Sequence, residues 1–496
     1  MRADLFKVTD SVSLPVETRA DSRSSIWKLL FIGAALELLY AVFVFIYEGS
    51  PFAQKPLASL GDLMRGDLGD AWALGFIVLA AFLLYLVAIR VARHDTTSHA
   101  MVLVMASGTL SALTVFPLHG PGSTDIFSYA MLGRILGHYH ANPMFVAPSS
   151  FPADQLLRYV TWKSRPGLGY GPVWYLLSAI PSALGVNSVA VQLSAMKGMI
   201  VAFHIANFFV IRAILVTVRP WAALLGVLAY AWNPLLVFEG PADGHNDIVM
   251  IFFVLVAILL LVKGRNAWVM PVLAMSILIK PLTLPLLPVF WFHLLRKQGT
   301  PGNRWRFALS SIALTSIAVG LLYAPFWNGG AAVEVQNNFK DLSAHSPARL
   351  LQVAVDKAAT RFSGRARMAE AVLSATRLAA LGLAGCVIMF LGWKESGPDL
   401  SNLLAAAYLS LFAFLLVLWW FHPWYAISLL TLASLVETRD IAAHALLFTA
   451  STFAGLALIL AQSGDIYVVP VLWCLPAMYF LKLLWSRRYW NTTSTQ

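Results

Sequence analysis

Long apolar runs separated by short polar intervals dominate the chain. A helix needs about 20 mostly apolar residues to cross a hydrocarbon core. Runs that meet or approach this length lie near 27–47, 71–92, 101–118, 192–217, 220–238, 246–263, 306–325, 375–394, 400–420, 441–462 and 466–485. Shorter apolar pieces at 171–185, 266–280, 281–295 and 423–436 read as short spans, tilted helices or half-helices. The pattern predicts an all-α fold, a polytopic transmembrane bundle of about 12–14 spans. The runs are continuous and do not alternate, which excludes a closed β-barrel. Two amphiphilic stretches, 119–170 and 326–374, interrupt the spans and are expected to carry interfacial helices. The expected organisation is a polar segment 1–25, one membrane-embedded domain 26–487 and a tail 488–496, without tandem repeats or low-complexity tracts.

Composition agrees with this pattern. The chain is 59% hydrophobic and 12% charged, against about 25% charged residues in soluble proteins, so the bilayer must solvate most of it. The net charge of +11 does not imply nucleic acid, because the basic residues cluster at the ends of apolar runs, as the positive-inside rule requires. Residues 1–25 lack the apolar core and small-residue cleavage site of a signal peptide. The first run therefore reads as a retained anchor, with Arg19, Arg23 and Lys28 holding the N-terminus in the cytoplasm. Three spans then put 119–170 outside. Arg296, Lys297, Arg304 and Arg306 mark a cytoplasmic loop, and 326–374 falls outside again. Arg487 and Arg488 place the C-terminus inside, which requires 423–436 to cross. Arg212, Arg219, Lys263 and Arg265 look cytoplasmic, so the turn 239–246 lies outside, provided 171–185 is a half-helix or surface helix. Cys386 and Cys474 lie in apolar runs and read as small buried hydrophobes.

The polar residues that break this pattern carry the chemistry. Asp125 follows a stretch, Thr96 to Thr124, free of Asp, Glu, Lys and Arg. Thr124 or Asp125 could simply cap a helix running to about His138. However, Tyr129, Arg134, His138, Tyr139, His140 and Asn142 follow on the same segment, and Asp125 and Tyr129, four apart, share a helical face. Arg165 and Tyr170 lie near Gly-Tyr-Gly-Pro, a loop-to-helix entry with Pro172 in the first turn; Tyr170 could equally be an interfacial anchor. In WNPLLVFEGPADGHNDIVM, Glu239, Asp243, His245, Asn246 and Asp247 crowd one turn. His245 and Asp247 could ligate a metal, bind a sugar or cap the next helix, but two residues do not make a metal site. Lys280 stands in an otherwise uncharged run, Ala267 to Leu295. An ionisable residue there is a functional candidate, suited to a phosphate at headgroup level, with snorkelling as the alternative. FHPWY adds His422, Trp424 and Tyr425; belt packing accounts for the aromatics but not for His422.

Taken in order, STDIFSY with GR and NP following, GYGP, NPLLVFEGPADGHND, IKP and HPWY resemble the membrane-embedded C-type glycosyltransferases, nearest to the polyprenol-phosphate-mannose-dependent α-1,6-mannosyltransferases. The resemblance spans about 125–425. It implies a helical bundle in the cytoplasmic membrane with its active site on the extracytoplasmic face. It also implies transfer of a hexosyl group from a polyprenyl-phosphate donor to a glycan or glycolipid hydroxyl. Asp125 matches the catalytic aspartate and takes the role of general base. Many members carry two adjacent acids there, whereas Ile126 follows Asp125 here. His245 and Asp247 match the family's loop histidine and acid, and Lys280 its phosphate-side cation, with Arg134 as a second charge on the leaving phosphate. Tyr129, Tyr170, Trp424 and Tyr425, together with His422, would contact sugar or prenyl chain. No cofactor is required by this reading, and a divalent cation is left open. Two other classes fit the composition. A flippase of lipid-linked sugar would place polar groups at mid-membrane within an inverted repeat. A non-catalytic scaffold is separated from an enzyme only by activity.

Overall fold

The computed structural model describes residues 19–49, 68–93, 97–118, 120–184, 188–328, 344–361, 366–394, 397, 399–436, 438–460 and 464–490. Most of the expected 1–25 segment, part of the 326–374 loop and the tail beyond residue 490 lie outside them. The described residues form helices throughout: α1 (Arg19–Gly49), α2 (Leu68–Ala92), α3 (Ser98–Thr114), α4 (Asp125–Gly137), α5 (Pro172–Leu184), α6 (Val189–Val218), α7 (Ala223–Ala231), α8 (Pro234–Val237), α9 (Asp247–Val262), α10 (Asn266–Ile277), α11 (Leu286–Lys297), α12 (Pro301–Tyr323), α13 (Pro347–Arg361), α14 (Ala366–Lys394), α15 (Leu400–Val417), α16 (Ala426–Ser434), α17 (Arg439–Leu460) and α18 (Asp465–Trp490).

Among the described residues, eight helices are long and apolar enough to cross a membrane. A ninth is reached if Pro220–Ala231 and Pro234–Ala242, bent by 50°, count as one span. The hydropathy pattern gives a larger number because it credits every apolar run. In the structure α3, α9 and α10 are 17, 16 and 12 residues long, or roughly 18–26 Å at 1.5 Å per residue. The break in the bent pair has a local cause. Pro234 cannot continue the hydrogen-bond ladder, and the Asn233 side chain caps the new start by accepting from Leu235 N at 3.0 Å.

The outer helices meet lipid and the inner ones meet each other. In the most apolar stretches of α12 and α14 only 11% of residues are buried, against 67% in α15. The first five residues of α9, Asp247 to Ile251, are wholly buried. With no aqueous driving force between spans, close backbone approach and side-chain hydrogen bonds hold such helices together. Ser111 and Thr114 of α3 both donate to the Glu37 carboxylate of α1. Where α4 crosses α5, a Cβ on Gly133 would lie 2.1 Å from the Ser178 carbonyl, so only glycine permits the contact. Gln192 of α6 ties both helices by donating to Ala130 O at 2.8 Å and Ser182 Oγ at 3.0 Å. At 13 residues, α5 lies against α4 and is the short helix that the charge pattern requires of 171–185.

Helix directions separate two ends of the bundle. α9 runs about 24 Å from Asp247 to Lys263 and Arg265. α11 ends on Arg296 and Lys297. α16 descends from Tyr425 to Leu435, whose carbonyl accepts from Arg219 Nη1 at 2.9 Å. The basic helix ends therefore lie opposite the end that carries Asp125, Asp247 and Lys280. The two cysteines correct the sequence expectation: Cys386 on α14 and Cys474 on α18 are exposed on the bundle's outer face. An apolar run does not reveal which side chains face lipid and which face protein.

Candidate active site

At this end a cavity of about 690 Å³ opens between α4, the 162–170 loop, the 280–284 turn and the 418–425 segment. Asp125, Ser128, Tyr170, Lys280, His422 and Trp424 form its polar wall, and Leu282, Leu284, Phe414 and Leu418 its apolar wall. Leu284 is 48% exposed, so the apolar wall reaches the outer surface of the bundle.

Asp125 is the first residue of α4. Thr124, at the N-cap position, makes no side-chain cap bond; its hydroxyl instead meets that of Thr161 at 2.7 Å. The Asp125 carboxylate accepts from the Tyr129 hydroxyl at 3.4 Å, as the four-residue spacing predicts. Tyr129 also donates to Asn246 Oδ1 at 3.2 Å and receives the Tyr170 hydroxyl at 3.5 Å. The Asp125 side chain keeps 24% exposure, toward the cavity. Burial pushes its carboxyl above the usual carboxylate range, opposed by the Lys280 ammonium.

Lys280 does not snorkel. It extends from the end of α10, and its Nζ donates to Asp247 Oδ2 at 2.8 Å while lying 4.2 Å from the centre of the Tyr425 ring. Its side chain is 11% exposed and that of Asp247 is fully buried. Lys280 thus faces the cavity as one half of a buried ion pair.

The FHPWY segment is held by Ala344, which pairs with Trp420 and fixes extended backbone at His422 before the turn at Pro423. Trp424 then stacks against both His422 (4.2 Å, 3°) and His245 (3.9 Å, 18°). The stack joins the cavity wall to the buried 239–247 turn. Behind it, His245 Nε2 lies 3.3 Å from Glu239 and 3.9 Å from Asp243, and Nδ1 lies 3.9 Å from Asp125. Asp243 also accepts from Gly122 N at 2.7 Å, a contact that a Cβ on Gly122 would obstruct at 2.5 Å.

The structure therefore lines one cavity with Asp125, Tyr170, Lys280, His422, Trp424 and Tyr425, and buries Tyr129, His245 and Asp247 directly behind that wall. Two expectations change. Arg134 is absent from the cavity wall. Its Nε donates to Asp154 at 2.6 Å and Nη1 to Gln192 at 3.3 Å, so its charge is neutralised inside the α4–α6 packing. The partner sits twenty residues along an irregular loop, a distance that helical spacing does not reveal. Second, the companions of His245 are Glu239 and Asp243 rather than Asp247, which is committed to Lys280. Trp162 and Trp420 also line the cavity and were not singled out from sequence; Trp420 directly precedes FHPWY, and Trp162 carried no distinguishing pattern.

With this geometry in hand, the chain matches the family model described as alpha-(1->6)-mannopyranosyltransferase, N-terminal domain, over residues 33–296. The matched region contains Asp125, the 239–247 turn and Lys280, and stops short of His422. No curated protein matches the chain.

Proposed function

Because the chain belongs to the alpha-(1->6)-mannopyranosyltransferase family, glycosyl transfer at a membrane is its activity, and we propose that it moves a mannosyl group from a polyprenyl-phosphate donor to a glycan or glycolipid hydroxyl. The observation that carries this reading is the placement of Asp125 and Lys280 on the polar wall of one cavity whose opposite wall, Leu282, Leu284, Phe414 and Leu418, is apolar and reaches the bundle surface. That arrangement suits a sugar phosphate with an attached hydrocarbon chain. The prenyl chain lies along Leu282, Leu284, Phe414 and Leu418, and the phosphate lies toward Lys280. The acceptor oxygen attacks the anomeric carbon, the bond from that carbon to the phosphate oxygen breaks with its electron pair leaving on phosphate, and the acceptor proton passes to Asp125. A single displacement of this kind inverts the anomeric centre. Lys280 stabilises the charge that develops on the leaving phosphate, as a fixed cation does in a site shielded from water. Tyr170, His422 and Trp424 pack on the sugar.

The basic helix ends opposite the cavity support an extracytoplasmic site under the positive-inside rule. The experiment is transfer of radiolabelled mannose from a synthetic polyprenyl-phosphate donor by the purified chain. A product whose linkage is inverted at the anomeric carbon is expected. Transfer from a nucleotide sugar instead would overturn the donor. A cysteine placed at Ser149, an exposed loop position, should react with an impermeant reagent added to intact cells, and one at Gly302 should not. The opposite pattern would move the chemistry to the cytoplasm.

A further inference from the structure

The 239–247 turn holds more negative charge than its protein partners offset. Asp125, Glu239, Asp243 and Asp247 converge there. Among the described residues Lys197 and Lys280 are the cations beside them. Lys280 is bound to Asp247, and Lys197 donates to the carbonyls of Leu118 and Ala242. With every carboxylate ionised, four negative charges face two positive ones.

Hydrogen bonding leaves the same deficit. Both carboxylate oxygens of Glu239 and both ring nitrogens of His245 lack a hydrogen-bond partner, although Glu239 is 1% exposed and His245 fully buried. Buried polar atoms without partners are rare and require an explanation. Glu239 and Asp243 are brought to His245 by an unusual backbone. Phe238–Ala242 forms a π turn, a feature common at functional sites. Gly244 then adopts φ +79°, which reverses the chain so that His245 N donates to Glu239 O at 3.1 Å.

We propose that Glu239, Asp243 and His245 bind one divalent cation of the manganese or zinc class. Their ligand atoms lie within 4.8 Å of one another, and the 3.3 and 3.9 Å separations around His245 Nε2 suit ligands that share an ion at about 2.0–2.2 Å each. Two carboxylates with an imidazole favour Mn²⁺ or Zn²⁺ over Ca²⁺ or Mg²⁺, because imidazole is a ligand of transition metals. A divalent ion also supplies the two missing positive charges. With Nε2 on the ion, the remaining proton of His245 sits on Nδ1 and faces Asp125 Oδ2. This site stands on the cluster itself and not on the identity of the sugar.

The test is the metal content of the full-length chain in detergent, dialysed against Mn²⁺ or Zn²⁺ and then against metal-free buffer. About one ion per chain is expected, and the ion should raise the melting temperature of the parent. Glu239→Gln should reduce retained metal on the order of tenfold or more. Glu37→Gln, which removes an acid elsewhere in the bundle, should retain it. A parent chain that keeps no stoichiometric ion and shows no melting shift overturns the site and identifies the deficit as protons. Equal loss in Glu37→Gln overturns it as non-specific binding. The parent measurement decides even if Glu239→Gln does not fold. A chain that binds the ion but transfers no mannose would contradict the functional reading and leave the site standing.

Discussion

Two buried polar networks lie at the same end of the bundle and differ in how completely they are satisfied. In the first, Asp154 accepts from Arg134 Nε at 2.6 Å, from the Tyr139 hydroxyl at 2.8 Å and from Leu156 N at 2.8 Å. Gln192 completes it by meeting Arg134, Ala130 and Ser182. The second contains Asp125, Glu239, Asp243, His245, Asp247 and Lys280. There Asp247 Oδ1, both Glu239 oxygens and both His245 nitrogens are unmatched. A network whose members satisfy one another fixes a packing geometry. One that buries unmatched acceptors beside a cavity is left short of partners by the protein alone. Both pair a buried acid with a cation, so a list of charged positions does not separate structural from chemical roles.

Four substitutions probe that contrast. Lys280→Met should have the largest effect. It leaves the Asp247 carboxylate buried without its partner, which costs about 3–5 kcal/mol of stability, and it removes about 2–4 kcal/mol of transition-state stabilisation. Melting temperature and transfer rate should fall together. Adding Asp247→Leu to the same chain removes the uncompensated charge, so melting should return near the parental value while transfer stays low. Restored transfer in the double variant would make the pair purely structural.

Arg134→Met comes next and should act on stability alone. Asp154 loses its cation, with a cost of about 3–5 kcal/mol, seen as a lower melting temperature. The folded fraction should bind donor and transfer at the parental rate per active molecule. A loss of donor affinity in folded protein would return Arg134 to the site.

Asp125→Asn should affect rate alone. Asparagine still accepts from Tyr129 but cannot take the acceptor's proton. Transfer should fall about 100-fold or more, with melting temperature and donor binding unchanged. An Asn variant that transfers at the parental rate would reduce Asp125 to the start of a helix.

The helical class and most of the site were legible in the sequence because each rests on local composition. Continuous apolar runs admit no spanning structure but helices, and an acid or lysine in such surroundings stands out against them. Asp125 and Tyr129 are related by helical spacing, and their contact follows from it. GYGP announces a helix start at Pro172, which the structure contains.

The sequence alone determined that the chain is a membrane-embedded helical bundle, which of its polar segments could hold chemistry, and which family it resembles. The tertiary structure decided the pairings. Lys280 reads equally well as a snorkelling side chain or a phosphate ligand until α9 places Asp247 beside it. Arg134 looks like a site residue until the loop returns Asp154 to it. Glu239, Asp243 and His245 form one cluster only because the π turn and Gly244 fold their backbone together. Cys386 and Cys474 face outward although their neighbours are as apolar as any in the core. The common reason is that lipid and protein interior are equally apolar, so hydropathy records that a residue leaves water but not what it meets. In the low dielectric of such an interior, a charge acquires its role from its nearest partner, and that partner is assigned by helix packing across long sequence distances.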